Sequence, residues 1–219
     1  MADQMIVQAT PVRIRGVDET KADLRLSGIL FFLLATAFLS VTMLAASIAP
    51  DYDFHGAAIS DLGVIDQTAM LFNSVLALIG VLNIAGGYLL YRSQRRRWLL
   101  ALYVVAGVGA VGAGLFPLST GGLHATFALL AFVCFNLEGL GTAALLAGPL
   151  RVLGLLAGAI GLFFTIVMVI GDSGNPAVFG PIGHGGAERM IAYPVMLWLL
   201  ALGGYLMATV VDKKDVKTS

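Results

Sequence analysis

Six apolar runs of roughly 20 residues, separated by short polar breaks, constrain this chain more than any other feature. A helix needs about 20 residues to cross roughly 30 Å of hydrocarbon. Within that layer every backbone N–H and C=O must find its partner inside the protein, so runs of this kind become helices. They cover residues 27–49, 68–91, 98–118 and 123–147, then a fifth stretch from the Gly148-Pro149 turn to about 171, and finally 189–211. Residues 1–25 read as a polar arm, with a short strand or turn between Ile6 and Ile14, and 212–219 as a tail. The expected fold is all-α: a polytopic membrane bundle of six transmembrane helices over residues 26–211.

Composition supports the same solvent. Only 12% of the residues are charged and 58% are hydrophobic, whereas a soluble domain carries about 25% charged residues. A formal net charge of zero gives no footing for nucleic acid, and membrane lipids are the expected surroundings. The single cysteine, Cys134, excludes an intramolecular disulfide and lies inside an apolar run, where it packs as a small hydrophobe. Arg13, Arg15, Lys21 and Arg25 lie among acids with no clean apolar core, so the arm does not read as a signal peptide and the first run is retained.

Six spans put both chain ends on one side. Of thirteen Lys and Arg residues, twelve lie in the arm, the 92–97 loop, the turn at 151 and the tail, all on that side. By the positive-inside rule both termini are cytoplasmic and the protein sits in the cell membrane. The outer face then collects His55, His124 and His184, the acids Asp51, Asp53, Asp61, Asp66, Asp172 and Glu188, and one cation, Arg189. Glycines at 107, 109, 112 and 114, and at 154, 158 and 161, suit close helix packing in lipid.

The polar break Ala58-Ile-Ser-Asp-Leu-Gly63 is the centre of the candidate site. Ser60 and Asp61 suit a helix N-cap. They equally suit chemistry, with Ser60 as nucleophile and His124 as its base. Asp61 and Arg189 each sit at the mouth of a span, where an unpaired charge is costly, so an ion pair between them is one expectation. The functional alternative makes Glu188 a general acid or base and Arg189 a clamp for phosphate or carboxylate. Adjacent residues on a helix cannot face one another, so Glu188 and Arg189 divide between bundle and loop. His55, His124 and His184 supply enough donors for a divalent metal such as zinc if the bundle brings them together. Haem ligation by His124 with His55 or His184 is a weaker use of the same residues.

A second polar group lies deeper. Glu138 is fifteen residues past Leu123, about 22 Å along the helix, and Asn83 reaches a similar depth on the second span. Asn136, Tyr103 and Tyr205 share that half. Glu138 and Asn83 suit either one structural hydrogen bond between two spans or a transport site.

Several of these residues carry a resemblance. Ile59-Ser-Asp-Leu-Gly63 with Leu71-Phe-Asn73, Gly114-Leu-Phe-Pro117 with His124, and Glu188-Arg189 with Trp198 resemble a prokaryotic six-span group, domain-of-unknown-function family 998, over roughly residues 25–210. That resemblance implies a fold and a membrane placement, and no reaction. A fainter similarity is to intramembrane metal hydrolases of the alkaline ceramidase and receptor-like type, which group a serine, an aspartate and three histidines at one membrane face. Ser60, Asp61, His55, His124 and His184 match those types, although the chain lacks a pair of histidines one helical turn apart on a final span and has one span fewer.

Three functions remain open at this point. One is an enzyme at the outer leaflet, an intramembrane hydrolase or other lipid-processing enzyme, using Ser60, Asp61, His124, Glu188 and Arg189. Another is a small transporter or proton-coupled carrier built on Asn83 and Glu138. The third is a non-catalytic scaffold or accessory subunit.

Overall fold

The computed structural model describes residues 17–208, with side chains from Glu19 onward. Six helices carry the chain: α1 Val17–Ile48, α2 Ala69–Gln94, α3 Arg97–Leu115, α4 Gly122–Ala144, α5 Gly148–Asp172 and α6 Gly183–Ala208. Each is long and apolar enough to cross a membrane. No strand occurs among the described residues. The strand or turn expected between Ile6 and Ile14, and the basic tail, lie outside them.

Each helix packs on the next in sequence, and α6 closes the ring against α1 while also touching α4. Short connections leave little alternative: α2 passes to α3 through Arg95 and Arg96 alone. The three longer connections fall at the end away from the start of α1, here called the far face. Each contains a 3₁₀ turn, at Ser60–Gly63, Leu118–Thr120 and Pro176–Ile182.

Two helices depart from the expected spans. α1 begins at Val17, inside the stretch read as a polar arm. Glu19 in its first turn suits the positive end of the helix dipole, and Asp23 meets Arg92 Nε of α2 at 3.4 Å. α6 begins at Gly183 rather than 189, so Glu188 and Arg189 lie in its second turn and not at its mouth.

Small residues set how near the helices come. A methyl group on Gly80 would run into the carbonyl oxygen of Gly107, and one on Gly107 would meet that of Gly80, so α2 and α3 touch backbone to backbone. On α5, Gly158 and Gly161 lie against Asn136 and Leu140 of α4. With no hydrophobic force between helices in lipid, this contact area is what holds them together. The core they enclose centres on Phe31, Phe72, Ile79, Tyr103, Leu199 and Leu202.

Candidate functional site

The far-face end of α6 organises the site. Gly183 takes φ +68°, and Gly185 lies so close beneath loop 53–58 that a Cβ there would strike the carbonyl oxygens of Ala57 and Phe54. Gly185 N–H donates to His55 O at 3.0 Å. The loop is therefore laid directly across the first turn of α6, and the next two side chains fix it.

Glu188 is 5% exposed. Its Oε2 accepts from the backbone N–H of Ile59 at short range and from Ser60 N–H at 3.4 Å. These N–H groups open the 3₁₀ turn Ser60–Gly63, where a helix start has unsatisfied donors. A carboxylate satisfies them and suits the local dipole. Neither Ser60 nor Asp61 acts as the expected N-cap: the turn has no side-chain cap, and Asp61 Oδ2 reaches back to Ala58 N–H at 2.8 Å. The other end of the turn is held by Asn73 Nδ2, which donates to Gly63 O at 2.8 Å, and by Thr68 Oγ1, which donates to Leu62 O at 2.7 Å.

Arg189, one residue further and about 100° around the helix, serves the loop. Its Nη1 donates to the carbonyls of Gly185, Phe54 and Ala57 at 2.7, 3.1 and 3.2 Å, and Nη2 donates to the Tyr52 hydroxyl at 2.7 Å. The guanidinium lies 4.6 Å from the Phe54 ring centre, within cation–π range. Tyr52 passes its own proton to Ala58 O at 2.7 Å. Burial pushes that phenol up to about 12, against the pull of Arg189. The expected Asp61–Arg189 ion pair does not form: backbone carbonyls and a phenol engage Nη1 and Nη2 of Arg189, while its buried Nε has no hydrogen-bond partner. Glu188 and Arg189 diverge, but both hold the same connection: Glu188 at Ile59 and Ser60, Arg189 at Phe54 and Ala57.

His124 is the third residue of α4 and 4% exposed. Its Nδ1 lies 2.8 Å from Phe116 O. A carbonyl can only accept, so Nδ1 carries the proton and Nε2 of the neutral ring holds the lone pair. The other two histidines have different partners. His184 Nε2 pairs with Asp172 Oδ1 at 3.1 Å. His55 is exposed, and its N–H donates to Asp53 Oδ1 at 3.0 Å. That bond and one from Gly56 N–H hold the Asp53 carboxyl below its ordinary range. No group of three His, Cys, Asp or Glu side chains among the described residues stands close enough to hold a metal. The three-histidine set is therefore not assembled among the described residues: the rings of His124 and His184 have different partners, His55 stays exposed on its loop, and the residues present do not fit a zinc centre.

What the far-face elements do enclose is a cavity of about 530 Å³ whose polar lining includes Ser60, Asp61, His124, Asp172, His184 and Glu188. A smaller apolar cavity of about 60 Å³ lies against it, lined by Phe38, Phe72, Ile79, Phe135, Val195 and Met196 among others. Ser60, His124, Ala128, Phe132 and Glu188 line both, so the two meet at His124 and Glu188. The larger cavity also reaches Leu129 of α4 and Val169 of α5. These side chains are 43% and 48% exposed on the outside of the bundle, so the cavity opens sideways between the two helices. Below it α4 and α5 close at Asn136 and Gly161.

Four of the five catalytic candidates, Ser60, Asp61, His124 and Glu188, thus share one cavity, and Arg189 stands behind it. Asp172 and the wall residues Ala128 and Thr165 went unmarked as site residues. An acid ending a 25-residue apolar helix was the available signal for Asp172; the alanine and threonine carried none.

The deeper group is separate. Asn83 Nδ2 donates to Glu138 Oε2 at 2.9 Å and to Tyr103 O at 3.1 Å, and Tyr103 Oη meets Thr142 Oγ1 at 2.8 Å. These bonds tie α2, α3 and α4 together. Neither Asn83 nor Glu138 lines either far-face cavity, and Tyr205 is exposed on α6.

Residues 32–205 match the family described as a protein of unknown function, DUF998. No curated protein and no solved structure matches the chain.

Proposed function

We propose, on the premise that the chain belongs to the DUF998 family, that this multi-pass membrane protein is an enzyme of the outer leaflet that hydrolyses a lipid-like amphiphile. The observation that carries this reading is the far-face cavity, which is polar at Ser60, Asp61, His124 and Glu188 and open toward lipid between α4 and α5. An amphiphile enters sideways with its chain in the bilayer and its head among these side chains. The lone pair on His124 Nε2 then takes a proton from a water molecule as its oxygen attacks the ester or amide carbon. The same nitrogen returns that proton to the leaving group as the acyl bond breaks. Ser60 Oγ donates to the developing oxyanion, and Asp61 and Glu188 orient the head. Arg189 keeps loop 52–58 in place and touches no substrate. In this orientation both termini are cytoplasmic, in keeping with twelve of the thirteen Lys and Arg residues.

The test is turnover of a total polar lipid extract by the purified protein, read by mass spectrometry. Product is expected with the wild type and a loss of about 100-fold or more in His124→Ala, with the fold retained. A carrier working through Asn83 and Glu138 is the competing reading, favoured by Glu138 Oε1, which is buried without a hydrogen-bond partner. Glu138→Gln leaves lipid turnover intact if the enzyme reading is right. Equal product from wild type and His124→Ala would end that reading.

A further inference from the structure

The cavity's polar lining is rich in acceptors and holds no lysine or arginine. Asp61, Asp172 and Glu188 each commit one carboxylate oxygen to the protein: to Ala58 N–H, to His184 Nε2, and to Ile59 and Ser60 N–H. The second oxygen of each has no hydrogen-bond partner in the protein. His124 Nε2 presents a lone pair, because Nδ1 spends the ring proton on Phe116 O. Glu188 and His124 are both more than nine-tenths buried and line both cavities. Backbone N–H groups that would greet an anion, those of Ile59 and Ser60, are already taken by Glu188. Arg189, the only Lys or Arg on the far face among the described residues, is turned to the loop. Elsewhere on the far face Asp51, Asp53 and Asp66 are exposed, so the charge on this face favours cations.

An acceptor-rich, acid-lined pocket discriminates by hydrogen-bond arithmetic. A phosphate or carboxylate head brings only acceptors and negative charge, and would leave buried groups unpaired on both sides. A hydroxyl brings one donor. An ammonium brings three donors and the complementary charge, enough to engage Asp61 and Glu188 together while leaving His124 Nε2 to the water. Resting on the reading of the cavity as an amphiphile site, we propose that the head group it selects is a protonated amine on a long alkyl chain. The chain leaves through the gap at Leu129 and Val169, and the ammonium sits between Asp61 and Glu188.

Equilibrium binding of dodecylamine, dodecanol and dodecyl phosphate to the full chain in nanodiscs of a neutral zwitterionic lipid tests this without requiring turnover. The amine should bind about tenfold or more tightly than the alcohol, the scale of one charge-assisted hydrogen bond. Dodecyl phosphate should not displace it. Asp61→Asn and Glu188→Gln should each weaken the amine about tenfold and leave the alcohol unchanged. Asp172→Asn, exposed and paired with His184, removes a charge without touching the ammonium and should leave amine affinity within about twofold. Phosphate binding as tightly as the amine, or amine affinity unchanged in both Asp61→Asn and Glu188→Gln, overturns the proposal. Selective amine binding with no hydrolysis keeps it and removes the enzyme reading. Turnover confined to an anionic amphiphile does the reverse.

Discussion

Glu188 shows how much one side chain can be asked to do. It sits under a membrane-face loop, nearly out of contact with water, and its carboxylate takes two backbone N–H groups from a segment 129 residues away in sequence. Glu188→Gln keeps an oxygen there, so the loop stays docked and the loss of stability is about 1 kcal/mol. Glu188→Ala strands both donors in a buried place and costs about 2–4 kcal/mol, measurable by chemical denaturation in mild detergent. Equal stability of the two variants would mean that the loop is held by something other than this carboxylate. That Glu188 and Arg189 diverge was legible in the sequence, because neighbours on a helix point about 100° apart. Which of them faces the cavity was not, since this depends on where α6 begins. Arg189 in turn looked like an anion clamp because guanidinium groups commonly are. Its real partners are carbonyls of Phe54, Ala57 and Gly185, and main-chain acceptors leave no mark in a residue pattern.

At the scale of elements, the six helices were readable because hydrophobic length alone decides them in lipid. Their ends were less so. The start of α1 mixes polar and apolar residues, and Glu19 in the first turn and the Asp23–Arg92 pair favour the helix there. Glycines at 183, 185 and 186 looked like the end of a loop, yet they fall in the first turn of α6, and a side chain at 183 or 185 would push loop 53–58 away. Gly185→Ala tests that contact. The Cβ meets two carbonyl oxygens, so the variant should lose about 1–3 kcal/mol and expose the loop to limited proteolysis between Asp53 and Ala58. An unchanged cleavage pattern would show that the loop is seated independently of α6. The motifs quoted for the family resemblance gain physical content here. Asn73 anchors Gly63, Phe116 sets the tautomer of His124, and Trp198 Nε1 donates to Leu150 O at 3.0 Å.

Across the whole molecule, convergence of three far-face connections makes the site. A sequence can show that Ser60, His124 and Glu188 reach the same membrane face. Only ring closure between α1 and α6, and the parting of α4 from α5 beyond Gly161, brings them around one hollow. The same closure sets His124 and His184 on the cavity and leaves His55 exposed on its loop, so no group of three metal-ligating side chains forms among the described residues. The proposed orientation predicts that an impermeant thiol reagent applied to intact cells labels Asp66→Cys and spares Arg95→Cys; the opposite pattern would invert the protein. The central claim, that an amphiphile sits head-first in this cavity, is tested most directly by photocrosslinking a long-chain amine bearing a diazirine near its head, followed by peptide mapping. The account predicts adducts confined to residues 58–61, 124–132, 165–173 and 184–188, which line the cavity, lost on adding unlabelled amine. Label spread evenly over the lipid-facing surfaces of all six helices would contradict it.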